Sequence, residues 1–88
     1  MDKAQLIEDL KHLIITECDK EVTPGEIDAN APLIGGEMDL DSLDALQISL
    51  AIKERYGVRI EGGPDARKAF ASVSELADFV IAARNAEK

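Results

Sequence analysis

Ser42 stands where an acidic stretch, "EMDLDSLD", runs into a segment with helical patterning, and Glu37, Asp39, Asp41 and Asp44 crowd round it in the sequence. A serine hydroxyl is a catalytic nucleophile only beside a base that is itself held in place. His12 is the sole histidine, and it lies in a separate N-terminal segment with no orienting partner in its pattern. It reads as a surface residue. Asp39, Asp41 and Asp44 touch on a calcium loop, but the glycine and terminal glutamate such a loop requires are missing. No metal-ligand set emerges, and an independent enzyme is not expected. What remains is a hydroxyl for another enzyme to modify. A phosphoryl group on that oxygen would lie against the N–H groups of a helix's first turn, where the dipole favours negative charge. The plainer alternative is a serine that merely starts a helix.

The elements that must position Ser42 follow from periodicity and punctuation. Leu6, Ile7, Leu10, Leu13, Ile14 and Cys18 recur at three- and four-residue steps, which predicts a helix over 3–18 with Asp2 as its cap. "EVTPGEIDANAPLIGGE" then reads as a long ordered loop with a short helical turn, pinned to the core by Ile27, Leu33 and Ile34. A second helix is expected from Ser42 to Tyr56. Asp41 caps it, Asp44 lies three residues on as in a capping box, and Gly57 supplies the left-handed stop. Pro64 opens a short helix reaching Phe70. Ser72 with Glu75 starts the last helix, on which Leu76, Phe79, Val80 and Ala83 share a face. The expected fold is all-α, a bundle of three longer helices and one short one, with no hairpin signal and one domain over the 88 residues.

The second helix is richer in apolar positions than one buried face needs. Ala45, Ile48, Ile52 and Tyr56 form one stripe; Leu43, Leu46 and Leu50 form another. The two stripes start two residues apart, about 200° round a helix of 3.6 residues per turn. If one packs inward, the other faces away as a transient docking surface. The alternative is that both stripes touch neighbours.

The net charge of −8 is unevenly spread. Residues 23–44 hold six acids and no base, whereas residues 45–88 hold six acids and seven bases. Negative charge gathered before Ser42 repels nucleic acid and anionic membranes and steers basic protein surfaces. One cysteine, Cys18, permits no internal disulfide, and no apolar run approaches a membrane span. A cytoplasmic protein without membrane insertion is expected.

"LDSLDALQISLAIKERYGVRI" resembles the Asp-Ser-Leu signature of the acyl carrier protein (ACP) family, and the likeness in element order extends over nearly the whole chain. The resemblance implies a single carrier domain over 1–88, a monomer with no active site of its own. It implies 4′-phosphopantetheine attached to Ser42 through a phosphodiester, with acyl intermediates held as thioesters on the arm's thiol. Asp41 becomes the acid that assists the transferase complex. Leu43, Asp44, Leu46, Gln47, Leu50 and Glu54 become the partner-facing positions. The implied partners are a phosphopantetheinyl transferase, an acyl-ACP synthetase or acyltransferase, and a ketosynthase with related enzymes bearing basic docking surfaces. The working thiol then belongs to the cofactor, and Cys18 is expected to be inert.

Some residues depart from the family's pattern. Gln47 and Lys53 stand where acids are common, Arg55 follows Glu54, and Asp39 occupies a position often held by glycine. A reversed charge at a docking face excludes wrong partners. The departures therefore point to a specialised carrier in a dedicated lipid or polyketide-type pathway, rather than bulk fatty acid synthesis. The competing readings are a peptidyl or aryl carrier of a nonribosomal pathway, and an unmodified helical interaction module in which Ser42 is only a cap.

Overall fold

The computed structural model describes residues 2–19, 21–33, 40–60 and 64–86, except the side chains of Ser42 and Asp65. Ile34, Glu37 and Asp39 therefore lie outside the described residues. Among the described residues four α-helices form: α1 (Lys3–Cys18), α2 (Ser42–Tyr56), α3 (Pro64–Ala69) and α4 (Val73–Ala86), with a 3₁₀ turn at Pro24–Glu26. Among the described residues there is no strand, and the all-α expectation holds.

Each helix start carries its own explanation. The Asp2 carboxylate accepts from the Ala4 N–H at 3.0 Å, closing one of the open donors of α1. At α2 the Asp41 Oδ1 accepts from the Asp44 N–H at 3.0 Å, and Asp44 Oδ2 accepts from the Asp41 N–H at 3.2 Å. That is the reciprocal box anticipated from the sequence. Pro64 occupies the first position of α3, where its missing N–H costs nothing. The Ser72 hydroxyl, buried, accepts from the Glu75 N–H at 3.1 Å at the head of α4. Helix α3 ends at Ala69, one residue short of the expected Phe70, although the Phe70 N–H still reaches the Ala66 carbonyl at 2.9 Å.

The stops differ in kind. Gly57 ends α2 at φ 69°, its N–H donating to the Lys53 carbonyl. Asp19 ends α1 in the same left-handed region at φ 52°, with its N–H on the Ile15 carbonyl. Aspartate tolerates that region better than most side chains, but less well than glycine.

Helix α1 packs against both α2 and α4, and α3 packs against α4. The shared core takes Leu6, Leu10, Leu13 and Ile14 from α1, Ile48 and Ile52 from α2, and Leu76 and Val80 from α4. Ile27 and Leu33 pin the loop to this core as expected. A further tie joins the loop to α4, where the Ser74 N–H donates to the Ala29 carbonyl at 2.9 Å. At the far end of α2 the Arg84 guanidinium of α4 donates to the Tyr56 carbonyl. This satisfies a carbonyl that the end of α2 leaves without an intrahelical partner.

Tyr56 is half-buried beside the start of α1. Loss of hydration on burial raises its phenol pKa, the negative charge of Asp9 raises it further, and Arg55 opposes both. The protonated phenol therefore stabilises the fold fully below the unfolded-state pKa of about 10, and that contribution is lost as pH rises through the higher folded value. Tyr56 is the sole tyrosine and tryptophan is absent, so ultraviolet absorbance reads it without overlap. The folded midpoint is expected above that of the urea-unfolded chain. Asp9→Asn should narrow the gap without closing it, because burial is the larger cause. Coincident midpoints would show the phenol to be fully hydrated.

The two left-handed stops give substitutions of opposite sign. A Cβ at Gly57 would meet nothing within 4 Å, so Gly57→Ala carries a backbone cost without a clash. It should lower stability in urea unfolding by about 1 kcal/mol, while Asp19→Gly should raise it by about 0.5 kcal/mol. A loss at Asp19→Gly would mean that the aspartate does more than end the helix.

Candidate functional site

The backbone of Ser42 is the first residue of α2, directly after the extended cap residue Asp41 (φ −110°, ψ −171°). The first intrahelical bond runs from the Ala45 N–H to the Asp41 carbonyl at 3.0 Å. The N–H groups of Ser42, Leu43 and Asp44 precede that ladder, and Asp41 takes the one on Asp44. Two backbone donors at the positive end of the helix thus accompany the serine without intrahelical partners. Asp41 is exposed and engages its cap bond through Oδ1, while Asp44 is half-buried.

From that end the helix shows two faces. Ile48 and Ile52 are completely buried, with Ala45 and Tyr56 half-buried beside them. On the opposite side Leu43, Leu46 and Leu50 are 71%, 56% and 50% exposed. These are the large exposed hydrophobic residues among those described, which decides between the two readings of the stripes. Gln47 and Glu54 are exposed next to them. All the anticipated partner-facing positions therefore lie on α2, but Asp44 is turned largely to capping.

The structure adds neighbours that the linear pattern did not mark. Leu46, Ser49, Leu50 and Lys53 of α2 meet Arg59 and Ile60 of the segment after Gly57, lining a groove of about 180 Å³. The groove depends on how the chain folds back after the helix, which helical periodicity does not encode. Its sequence signal was limited to Gly57 as a stop followed by "VRI". Cys18 is half-buried at the end of α1, and its Sγ lies 3.9 Å from the Asp44 carbonyl oxygen. His12 is exposed on α1.

A helical scaffold that leads from a capped helix start into an uncovered leucine face has the make-up of a domain that other proteins grip. The family model for the phosphopantetheine attachment site matches residues 8–80. The chain belongs to this family of carrier domains, which attach 4′-phosphopantetheine covalently to a serine and carry intermediates rather than catalyse. Family members meet pathway enzymes and a phosphopantetheinyl transferase. No curated protein sequence matches the chain. Among the described residues no helix is long and apolar enough to cross a membrane.

The two faces of α2 should respond oppositely to truncation. Leu46→Ala should leave the urea midpoint within about 0.5 kcal/mol of wild type, as expected for an exposed position. Ile48→Ala should cost about 2–5 kcal/mol through lost burial and a residual cavity. Equal losses would mean that the leucine stripe is covered after all.

Proposed function

We propose that Ser42 is the serine that carries the 4′-phosphopantetheine arm, and that the arm's thiol holds acyl intermediates as thioesters. The observation that carries this reading is the position of Ser42 at the head of α2, one residue before the exposed leucine row. The other three serines of the chain are less suitable. Ser72 is buried and occupied as a cap. Ser49 is half-buried in mid-helix, its hydroxyl donating to the Ala45 carbonyl at 2.9 Å. Ser74 is half-buried in the first turn of α4, held to the loop through its N–H.

Loading transfers the phosphopantetheinyl group from coenzyme A. The Ser42 oxygen bonds to the phosphorus, its proton leaves to a base of the transferase, and adenosine 3′,5′-bisphosphate departs. This chain supplies the helix end that receives the new phosphodiester charge. Asp41 keeps a second carboxylate oxygen for the transferase complex while Oδ1 holds the cap. Leu43, Leu46 and Leu50, with Asp44, Gln47 and Glu54 around them, form the surface on which transferase, acyl-ACP synthetase or acyltransferase, and ketosynthase alternate. A monomeric cytoplasmic carrier is the state this use requires. Gln47 and Lys53 on the same helix support service in a dedicated lipid or polyketide-type pathway.

Intact mass after incubation with a broad-specificity transferase and coenzyme A tests the assignment. The wild type should gain one phosphopantetheinyl group, and Ser42→Ala, with its helical circular dichroism retained, should gain none. A gain in the variant would move the arm to another serine. No gain in either would return Ser42 to the role of a helix-start residue. Offered to a housekeeping ketosynthase beside that enzyme's usual carrier, the loaded protein should be the poorer substrate; equal use would remove the specialised part of the reading.

A further inference from the structure

The chain that leads into Ser42 is held from both sides. Leu40, two residues before the serine, is buried in the core. Asp41 between them is extended, at φ −110° and ψ −171°, and its N–H donates to Asp44 Oδ2 at 3.2 Å. Asp44 commits its N–H, its side chain and its carbonyl to this one turn. The N–H donates to Asp41 Oδ1 at 3.0 Å, Oδ2 takes the Asp41 N–H, and the carbonyl oxygen lies 3.9 Å from the Cys18 Sγ of α1. Asp44 is half-buried, whereas Gln47 and Glu54 further along α2 are exposed. A carboxylate that recognises a partner presents its oxygens outward. This one turns an oxygen back over the helix end.

We propose that Asp44 is a positioning residue for the loading of Ser42, acting through the Asp41 N–H to fix the direction in which the chain enters α2. The inference rests on the carrier reading and gives Asp44, within it, the part of a brace behind the attachment point. Without that oxygen, two restraints on the entering segment remain. These are Leu40 in the core and the bond from the Ala45 N–H to the Asp41 carbonyl. The peptide between Leu40 and Asp41 then turns more easily, and the serine that follows it is less well fixed. A transferase still grips the leucine row, but fewer bound complexes hold the serine oxygen in line with the phosphorus. Misalignment of reacting atoms within a bound complex lowers turnover and leaves affinity largely alone. The role needs an acceptor and not a charge. Asparagine supplies one through its amide oxygen, and alanine supplies none.

Steady-state loading of wild type, Asp44→Asn and Asp44→Ala by a broad-specificity transferase with coenzyme A, followed by intact mass, tests this. Urea unfolding first sets conditions under which all three are folded. Asp44→Ala should lower kcat about fivefold, the scale of one lost cap bond, with KM for the carrier within about twofold of wild type. Asp44→Asn should recover most of the lost kcat. Hydrogen exchange at the Asp41 amide, a readout that needs no transferase, should quicken in the alanine variant and stay near wild type in the asparagine variant. Asparagine as poor as alanine, with the loss in KM and fading as salt is raised, would make Asp44 a docking charge and overturn the proposal. Lower urea stability with kcat unchanged would leave only a structural cap, and an Asp41 amide that exchanges alike in all three would remove the brace; either result overturns it. A wild type that gains no phosphopantetheine would sink the carrier reading itself. A wild type that loads while the variants show the wrong order keeps its carrier role and loses this inference.

Discussion

Burial of Ile48 and Ile52 fixes the rotation of α2 about its own axis, and the rest of the candidate site depends on that one constraint. Both side chains are fully enclosed in the core shared with α1 and α4. A helix held on one side by two such anchors cannot turn without bringing apolar surface into water, at about 25 cal/mol for each Å² exposed. The leucines at 43, 46 and 50, about 200° away by helical geometry, are therefore held outward. The Asp41–Asp44 box and Gly57 set the axial limits of the same helix. Rotation, start and stop are determined by three separate interactions, and together they leave Ser42 at one end of an uncovered apolar row.

That row is not what stability alone would select. A fully buried leucine contributes roughly 1.5–3 kcal/mol relative to an exposed one, and a small domain has only about 5–15 kcal/mol of net stability. Leaving three leucines at least half exposed forgoes a large part of that sum. It also exposes a contiguous patch that a protein without partners would be expected to cover or to make polar. The concentration of acids before the helix supplies long-range attraction and solubility, which keep such a patch usable without self-association. On the carrier reading the patch has a purpose: a carrier is bound briefly by successive enzymes, and such a surface would offer apolar contact without a permanent occupant.

Much of this was legible in the residues because the signals are local. Asp2, Asp41 with Asp44, Gly57, Pro64 and Ser72 mark helix ends through bonds that span no more than four residues, and the structure forms them where the spacing placed them. The left-handed stop at Asp19 was less visible, because aspartate signals a cap or a turn more often than a helix end. Periodicity separated the two stripes of α2 but could not decide whether the second was covered, since that depends on neighbours distant in sequence. For the same reason the groove was invisible: Arg59 and Ile60 reach the flank of α2 only after the chain reverses past Gly57. The burial of Ala51 and Ala77 was missed because alanine is apolar enough for a core and small enough for a surface, so its type carries little information.

The placement of α1 against the head of α2 shows how so small a protein would hold an arm attached at Ser42 steady. Cys18 in the last turn of α1 lies with its sulfur 3.9 Å from the Asp44 carbonyl, and α1 packs along α2 with Leu10, Leu13 and Ile14 fully enclosed. The first turn of α2 is thus tied internally by its capping box and laterally by the end of a second helix. Precision at a functional position comes from such support more than from the residue itself. A long arm on a mobile loop would give each partner enzyme two uncertain geometries to correct, that of the arm and that of its root. With a root at Ser42 held by two helices, the arm alone would need to move, and a partner that gripped the face beginning one residue later would orient it.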